Sequence, residues 1–189
     1  MATKIGFMSM LPPHPKWVNS KFIVVLLWAI SRFNDQLPFR VILMPFVRIT
    51  PKLFVGPQLT RRGWLALKKH GVTGIVNLRV ELDDRERGIQ PDHYLWLPTI
   101  DHTSPTVEQL IEAARFVKAR IDAGEGVYIH CAAGVGRAPL VAAAYLVSEG
   151  MSVEQARAFL RQRRPFINQS ESQKQRLIQF AEAIAADVR

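Results

Sequence analysis

The chain has 189 residues, a net charge of +9 at neutral pH and a single cysteine. This length accommodates one domain with an appendage. A lone cysteine excludes a disulfide within the chain and indicates a reducing compartment, so we expect a cytoplasmic location. Because the sequence contains no aromatic-plus-basic module or groove-reading motif, we expect no nucleic acid partner.

Residues 1–49 form a basic and apolar N-terminal extension. They contain six lysines and arginines against one acidic residue, Asp35, and residues 22–30 are all apolar. A membrane-spanning helix needs about 20 apolar residues, so a full span is the less favoured interpretation. We predict that residues 17–48 bind an anionic membrane surface peripherally. The alternative, held equally open, is that these residues pack on the domain as additional core.

Residues 50–189 alternate predicted strands with predicted helices. The strands are an edge strand at 53–56 and further strands at 74–78, 94–98 and 126–129. The helices are predicted at 60–70, from about 104 to 124, at 138–147, at 152–164 and at 170–187. This alternation predicts an α/β fold with a mostly parallel sheet flanked by helices. Since sites in such sheets lie at the carboxyl ends of the strands, the loops after residues 78, 98 and 129 should surround one pocket.

One of these loops carries the most informative motif in the chain. It runs through His130, Cys131, Ala132, Ala133, Gly134, Val135, Gly136 and Arg137. A loop between a strand and a helix N-terminus points backbone N–H groups at one spot, where an anion is stabilised. The two glycines let the backbone curl, and Arg137 offers a planar fork suited to two phosphate oxygens. The same field favours a thiolate at Cys131, which is then a nucleophile for phosphorus.

The pattern His-Cys-x-x-Gly-x-x-Arg resembles the signature loop of the protein tyrosine phosphatase superfamily. The resemblance extends over residues 50–185 and is to the dual-specificity phosphatases. It implies a two-step mechanism with no metal or other cofactor, in which Cys131 attacks the phosphoryl group. It also implies that residues 132–137 bind the phosphoryl oxygens. Low-molecular-weight phosphatases share the Cys-x5-Arg spacing but carry it near the N-terminus.

The resemblance also implies a general acid in the loop after the strand at 94–98. Asp101 lies there, thirty residues before Cys131, and its alternative role is that of an aspartate in a turn before a helix. We expect His130 to orient the loop by hydrogen bonding. Asp83 and Asp84 are expected to be solvated at the edge of the pocket.

Two departures from related loops bear on the substrate. Ala132 and Ala133 are not basic, whereas the phosphoinositide 3-phosphatases carry lysines in this loop. Ala138 replaces the usual serine or threonine after the arginine, a pattern shared with the regenerating-liver phosphatases. We expect a phosphatase acting on phosphoproteins. A membrane phospholipid or phosphoinositide phosphatase and a low-turnover phosphate-binding scaffold are the alternatives.

Overall fold

The computed structural model describes residues 46–187, which form one sheet with helices on both faces. The strands are β1 (Val47–Arg48), β2 (Leu53–Gly56), β3 (Val72–Arg79), β4 (His93–Thr99) and β5 (Gly126–His130). The helices are α1 (Arg61–Lys68), α2 (Val107–Asp122), α3 (Arg137–Ser148), α4 (Val153–Arg163) and α5 (Glu171–Asp187). A short 3-10 helix, Asp84–Arg87, follows β3. Most of the predicted membrane-binding segment at 17–48 lies outside the described residues.

The strand order is β1-β2-β5-β3-β4, and every neighbouring pair is parallel except β1 with β2. This arrangement confirms the predicted α/β fold with a mostly parallel sheet. The prediction that residues 53–56 form an edge strand was wrong, because β1 pairs with β2 on its outer side. That two-residue strand is too short to leave a periodic signal. It precedes Thr50, where we place the start of the catalytic domain, and the division of the chain at that point stays a prediction.

Apolar residues cover both faces of the sheet. The larger core lies between the sheet and α2, α3, α4 and α5, and it includes Val76, Ile129 and Val141. A smaller cluster lies under α1, where Trp64 and Leu67 pack with strand residues. Because both faces are covered, the central strands consist of almost continuous apolar residues.

Side-chain caps set where the helices begin. Thr60 accepts the Gly63 N–H at 3.1 Å and caps α1. Ser152 and Gln155 form the predicted capping box of α4. The predicted start of α2 at about residue 104 is two to three residues early, since Thr106 caps this helix.

Within residues 46–187, no helix has both the length and the apolar character needed to cross a membrane.

Candidate active site

The signature loop joins β5 to α3 and packs against the end of β2. Gly134 has a φ of +68°, and a Cβ there would lie 2.4 Å from the carbonyl group of Gly56. Only glycine fits both the conformation and the space. The Gly134 N–H donates to Sγ of Cys131 at 3.2 Å. The loop therefore folds back over the sulfur and provides it with a hydrogen-bond donor.

Donors outside the loop bind four consecutive carbonyls, those of residues 132–135. They are Gln58 N–H on Ala132 (3.0 Å), Arg164 Nη2 on Ala133 (3.2 Å), Arg164 Nε on Gly134 (2.6 Å) and Asn168 N–H on Val135 (2.9 Å). Because these carbonyls are held on the outer side, the loop N–H groups face the opposite side and form an anion-binding concavity. The first turn of α3 adds to it, since Gly136 provides no side-chain cap.

Arg137 is almost fully buried and keeps one edge of its guanidinium for an anion. Nη1 donates to the carbonyls of Thr99 (2.5 Å) and Leu78 (3.2 Å), which fixes the plane of the group. Nε is buried without a hydrogen-bond partner. Nη2 lies 2.9 Å from Oδ1 of Asp101 in an ion pair. A buried cation whose Nε has no partner and whose Nη2 pairs only with an exposed carboxylate fits a phosphoryl group bound through two oxygens.

Asp101 follows β4, and its ion pair with Arg137 brings the predicted acid to the predicted phosphate site. Its side chain is 55 % exposed, so the carboxyl lies on the solvent side of the guanidinium. The N-terminal end of α5 fixes this loop, because Ser170 Oγ donates to the His102 carbonyl (3.2 Å) and Gln173 Nε2 to the Thr103 carbonyl (2.7 Å). The role of Asp101 as general acid stays a prediction.

Asp84 is a functional candidate that the sequence-based interpretation missed. The prediction that it is solvated was wrong, because its side chain is fully buried. Its Oδ2 lies 2.6 Å from Nε2 of His130, and its Oδ1 accepts from Gln58 Nε2 at 2.6 Å. The predicted orienting contact of His130 is therefore a hydrogen bond to a carboxylate. His130 directly precedes Cys131, so this buried group fixes the end of β5 from which the loop departs.

Arg164 is the second residue that the sequence did not identify as part of the site. It is fully buried and stacks on Phe166, with Cζ 4.3 Å from the ring centroid. Burial lowers the pKa of Arg164 to about 10, which still leaves the guanidinium charged at neutral pH. Arg137 and Arg164 thus place two buried positive charges around the loop. The signal in the sequence was a pair of arginines before Pro165, followed by Asn168 and Gln173, which resembles a segment near the pocket of some related phosphatases but gave Arg164 itself no role.

Within residues 46–187, no group of three or more histidine, cysteine or acidic side chains could hold a metal ion.

A buried cysteine under a loop of inward-facing N–H groups, with an arginine fork beside it, defines the cysteine-dependent phosphatases of the protein tyrosine phosphatase superfamily. Residues 53–183 match the family model described as the dual specificity phosphatase catalytic domain. The chain therefore belongs to the dual specificity phosphatase family.

Curated relatives agree with this assignment. Dual specificity protein phosphatase Mpk3 of Drosophila melanogaster is 31 % identical over 137 residues, which cover 71 % of this chain and 33 % of Mpk3. Laforin of Mus musculus is 28 % identical over 149 residues, which cover 66 % of this chain and 45 % of Laforin. The chain therefore spans from a third to less than half of the length of these two relatives.

Solved structures share the fold over nearly their whole length. PTPMT1 in complex with PI(5)P superposes with a TM-score of 0.71 at 24 % identity, covering 77 % of this chain and 99 % of that one. Tk-PTP in the active form gives a TM-score of 0.66 at 28 % identity, covering 73 % and 97 %. These similarities agree with the five-stranded α/β fold described above.

Proposed function

We propose that the protein hydrolyses phosphomonoesters of proteins, phosphotyrosine and/or phosphoserine and phosphothreonine, through a cysteinyl-phosphate intermediate. The observation that carries this proposal is the Nε–Nη2 edge of buried Arg137, where Nε has no partner and Nη2 pairs only with the half-exposed Asp101, in a site that also contains Cys131 and a concavity of backbone N–H groups. These groups together offer an anion its binding donors and a nucleophile. The protein phosphatases among the relatives support a phosphoprotein substrate.

In the first step, the Cys131 thiolate attacks phosphorus while the loop N–H groups and Arg137 bind the nonbridging oxygens. The bond from phosphorus to the ester oxygen breaks, and Asp101 donates a proton to that oxygen. A bound phosphoryl group competes with Asp101 for Nη2 of Arg137. We infer that substrate binding moves this carboxyl from the guanidinium to the leaving oxygen. Such a proton transfer contributes roughly 10²–10⁴-fold in rate.

In the second step, water attacks the phosphorus of the cysteinyl phosphate and passes a proton to Asp101. The bond from sulfur to phosphorus breaks, and Cys131 leaves as a thiolate. The Gly134 N–H that lies 3.2 Å from Sγ is placed to stabilise the negative charge that develops there. Ala138 provides no hydroxyl for the same purpose, so we expect this step to be the slower one.

A second candidate function is hydrolysis of a membrane phospholipid phosphate. It is favoured by the basic character of the first 49 residues, and one of the similar structures is PTPMT1 in complex with PI(5)P. Against a 3-phosphatase of phosphoinositides stand Ala132 and Ala133, which bring no positive charge into the loop. With either substrate, we propose a cytoplasmic protein that binds membranes peripherally through residues 17–48.

A substrate panel tests the proposal. Phosphate release is measured for phosphotyrosine, phosphoserine and phosphothreonine peptides, for phospholipids in vesicles and for an aryl phosphate. Cys131→Ser serves as the control for contaminating activity. We expect turnover of phosphopeptides by the wild-type protein only. Release from phospholipid alone would favour the second candidate, and release from no substrate would favour a phosphate-binding scaffold.

A further inference from the structure

The net positive charge of the chain belongs to its first part. Residues 1–80 contain 12 lysines and arginines and one acidic residue, whereas residues 81–189 contain 13 and 15. The net charges are therefore +11 and −2. The signature loop and Asp101 belong to the second part, so the charge excess of the chain lies outside the residues that carry the chemistry.

Within the described residues, this charge is concentrated on one side of α1. We call this side the α1 basic face, and it consists of Arg61, Arg62, Leu65, Lys68 and Lys69. Helical spacing places these residues together, on the side away from buried Leu67, and the Lys68 ammonium at the edge of this face lies 5.8 Å from the centroid of the Trp64 ring. Leu65 is 53 % exposed and lies among the four cations. The face therefore combines basic side chains with one exposed apolar side chain.

The fold itself gains little from Arg61 and Arg62, whereas Lys68 lies in the favourable last turn of α1 and over the Trp64 ring. Arg61 and Arg62 occupy the first turn of α1, which contains no acidic residue. The helix dipole makes this end unfavourable for positive charge. Among the ion pairs of residues 46–187, none involves a cation of the α1 basic face. The charges of Arg61, Arg62 and Lys69 are therefore available to an anionic partner.

The position of α1 connects the extension with the active site. Before the helix, Gln58 N–H binds the Ala132 carbonyl of the signature loop at 3.0 Å. After it, Nδ1 of His70 lies 3.2 Å from Nη2 of Arg48 in β1. Phe46, at the start of the described chain, contacts the His70 ring with a centroid distance of 6.3 Å. The segment that contains α1 thus contacts the catalytic loop at one end and β1, the last part of the N-terminal extension, at the other.

We propose that the α1 basic face docks the domain on an anionic lipid surface, with the catalytic pocket beside the lipid headgroups. Cations spread over a helix face suit a plane of many anions, and an exposed leucine among them can insert between headgroups. Each basic residue near such a surface raises binding about fivefold. The docking does not depend on whether the substrate is a phosphoprotein or a phospholipid.

The test compares three full-length proteins that differ in where positive charge is reversed. They are the wild type, Arg61→Glu/Arg62→Glu and the control Arg115→Glu/Arg161→Glu. The control changes two exposed arginines on α2 and α4, on the other face of the sheet, and alters the net charge equally. Cosedimentation is measured with vesicles of phosphatidylcholine and phosphatidylserine, and with phosphatidylcholine alone, at low and high salt. Hydrolysis of a soluble aryl phosphate reports the integrity of the active site.

We expect Arg61→Glu/Arg62→Glu to lower binding to anionic vesicles at low salt by about 25-fold or more, since two contributions of about fivefold are lost. The control should bind within about twofold of the wild type, because its charges face away from the membrane. All three proteins should hydrolyse the aryl phosphate alike. Glutamates in the first turn also favour the helix dipole, so unfolding of α1 would not account for a loss of binding.

Equal vesicle binding by the two variants would overturn the proposal. Leu65→Ser is a second variant, and we expect it to weaken binding to anionic vesicles without changing aryl phosphate hydrolysis. The same three proteins are also tested with a poly-glutamate peptide in place of vesicles. Binding of this peptide through Arg61 and Arg62, without any binding of vesicles, would assign the α1 basic face to an acidic protein and exclude a lipid surface.

Discussion

Removal of the Asp84 carboxylate should be the most damaging single change outside the signature loop. Asp84→Ala leaves the buried Nε2 groups of His130 and Gln58 without their acceptor. Each buried donor left without its acceptor costs about 1–3 kcal/mol, so the two together cost about 2–6 kcal/mol. For a domain of this size, 1 kcal/mol corresponds to roughly 2–4 °C, so Tm should fall by about 4–24 °C.

Asp84→Asn separates the charge from the shape of the side chain. The amide retains one acceptor oxygen but places an NH2 group against a donor. The loss is then about one charge-assisted hydrogen bond, roughly 1.5–3 kcal/mol, or about 3–12 °C in Tm. Because His130 adjoins Cys131, we also expect kcat on an aryl phosphate to fall in Asp84→Asn at temperatures where the protein is fully folded.

Thermal unfolding and steady-state kinetics check both expectations, with Asp83→Asn as the matched control. Asp83 is the neighbouring aspartate, which caps the short 3-10 helix, and its carboxylate accepts hydrogen bonds from Arg85. This contact lowers the pKa of Asp83 to about 2 but involves no residue of the signature loop. Asp83→Asn should therefore leave kcat unchanged. Equal Tm and kcat values for Asp84→Asn and the wild type would refute the positioning role of Asp84.

Three further substitutions probe the loop and the acid. Arg164→Lys removes the guanidinium fork that binds two loop carbonyls, so the inhibition constant of inorganic phosphate, a competitive inhibitor, should rise about tenfold or more. An inhibition constant equal to that of the control Arg163→Lys would contradict the role of Arg164 in shaping the loop. Asp101→Ala should slow phosphopeptide hydrolysis about 10²–10⁴-fold, but it should slow hydrolysis of aryl phosphates with good leaving groups much less, because these need less protonation. Steady-state rates like those of the wild type on both substrates would show that Asp101 is not the general acid. Ala138→Ser should speed hydrolysis of the cysteinyl phosphate about ten- to a hundredfold, because a hydrogen bond from the new hydroxyl to Sγ of Cys131 is worth roughly 1.5–3 kcal/mol. In the wild type, we expect rapid mixing with an aryl phosphate to show a burst of leaving group before a slower steady state, and the variant should show a smaller burst. No burst in the wild type and no rise in the steady-state rate of the variant would exclude this role of a hydroxyl at position 138.

The last of these predictions has a competing explanation in the packing. Ala138 is fully buried in the larger core, at the start of α3. A serine there that does not reach Sγ of Cys131 would bury an unpaired hydroxyl and lower stability by about 1–3 kcal/mol. Thermal unfolding of Ala138→Ser, measured beside its kinetics, separates the two explanations. A faster and equally stable enzyme supports the hydrogen bond.

Local patterns were sufficient to predict the loop and most helix ends. The signature loop is recognisable because its glycines, Cys131 and Arg137 lie within eight residues, between a strand and a helix. The capping box of Ser152 and Gln155 is also local and appears as predicted. In each case the chemistry depends on neighbours in the chain, so the sequence contains the information.

The residues that were missed depend on contacts between distant parts of the chain. Asp84 lies in a loop rich in charged residues, which is typical of a solvated segment, yet its partner His130 is 46 residues away. Arg164 directly follows α4, and its loop acceptors are some 30 residues earlier. Neither pairing leaves a periodic signal. The parallel pairing of β3 with β5 brings Asp84 to His130, and the position of α4 brings Arg164 to the loop carbonyls.

Trapping the phosphoenzyme tests the central claim most directly. The wild-type protein is mixed with a radiolabelled phosphopeptide, quenched in acid within the first turnover and digested for mass spectrometry. The mechanism predicts one phosphorylated residue, Cys131, formed before phosphate is released and absent from Cys131→Ser. Phosphate release by Cys131→Ser at the wild-type rate, or turnover of the wild type with the label on a different residue, would contradict the assignment of Cys131 as the nucleophile.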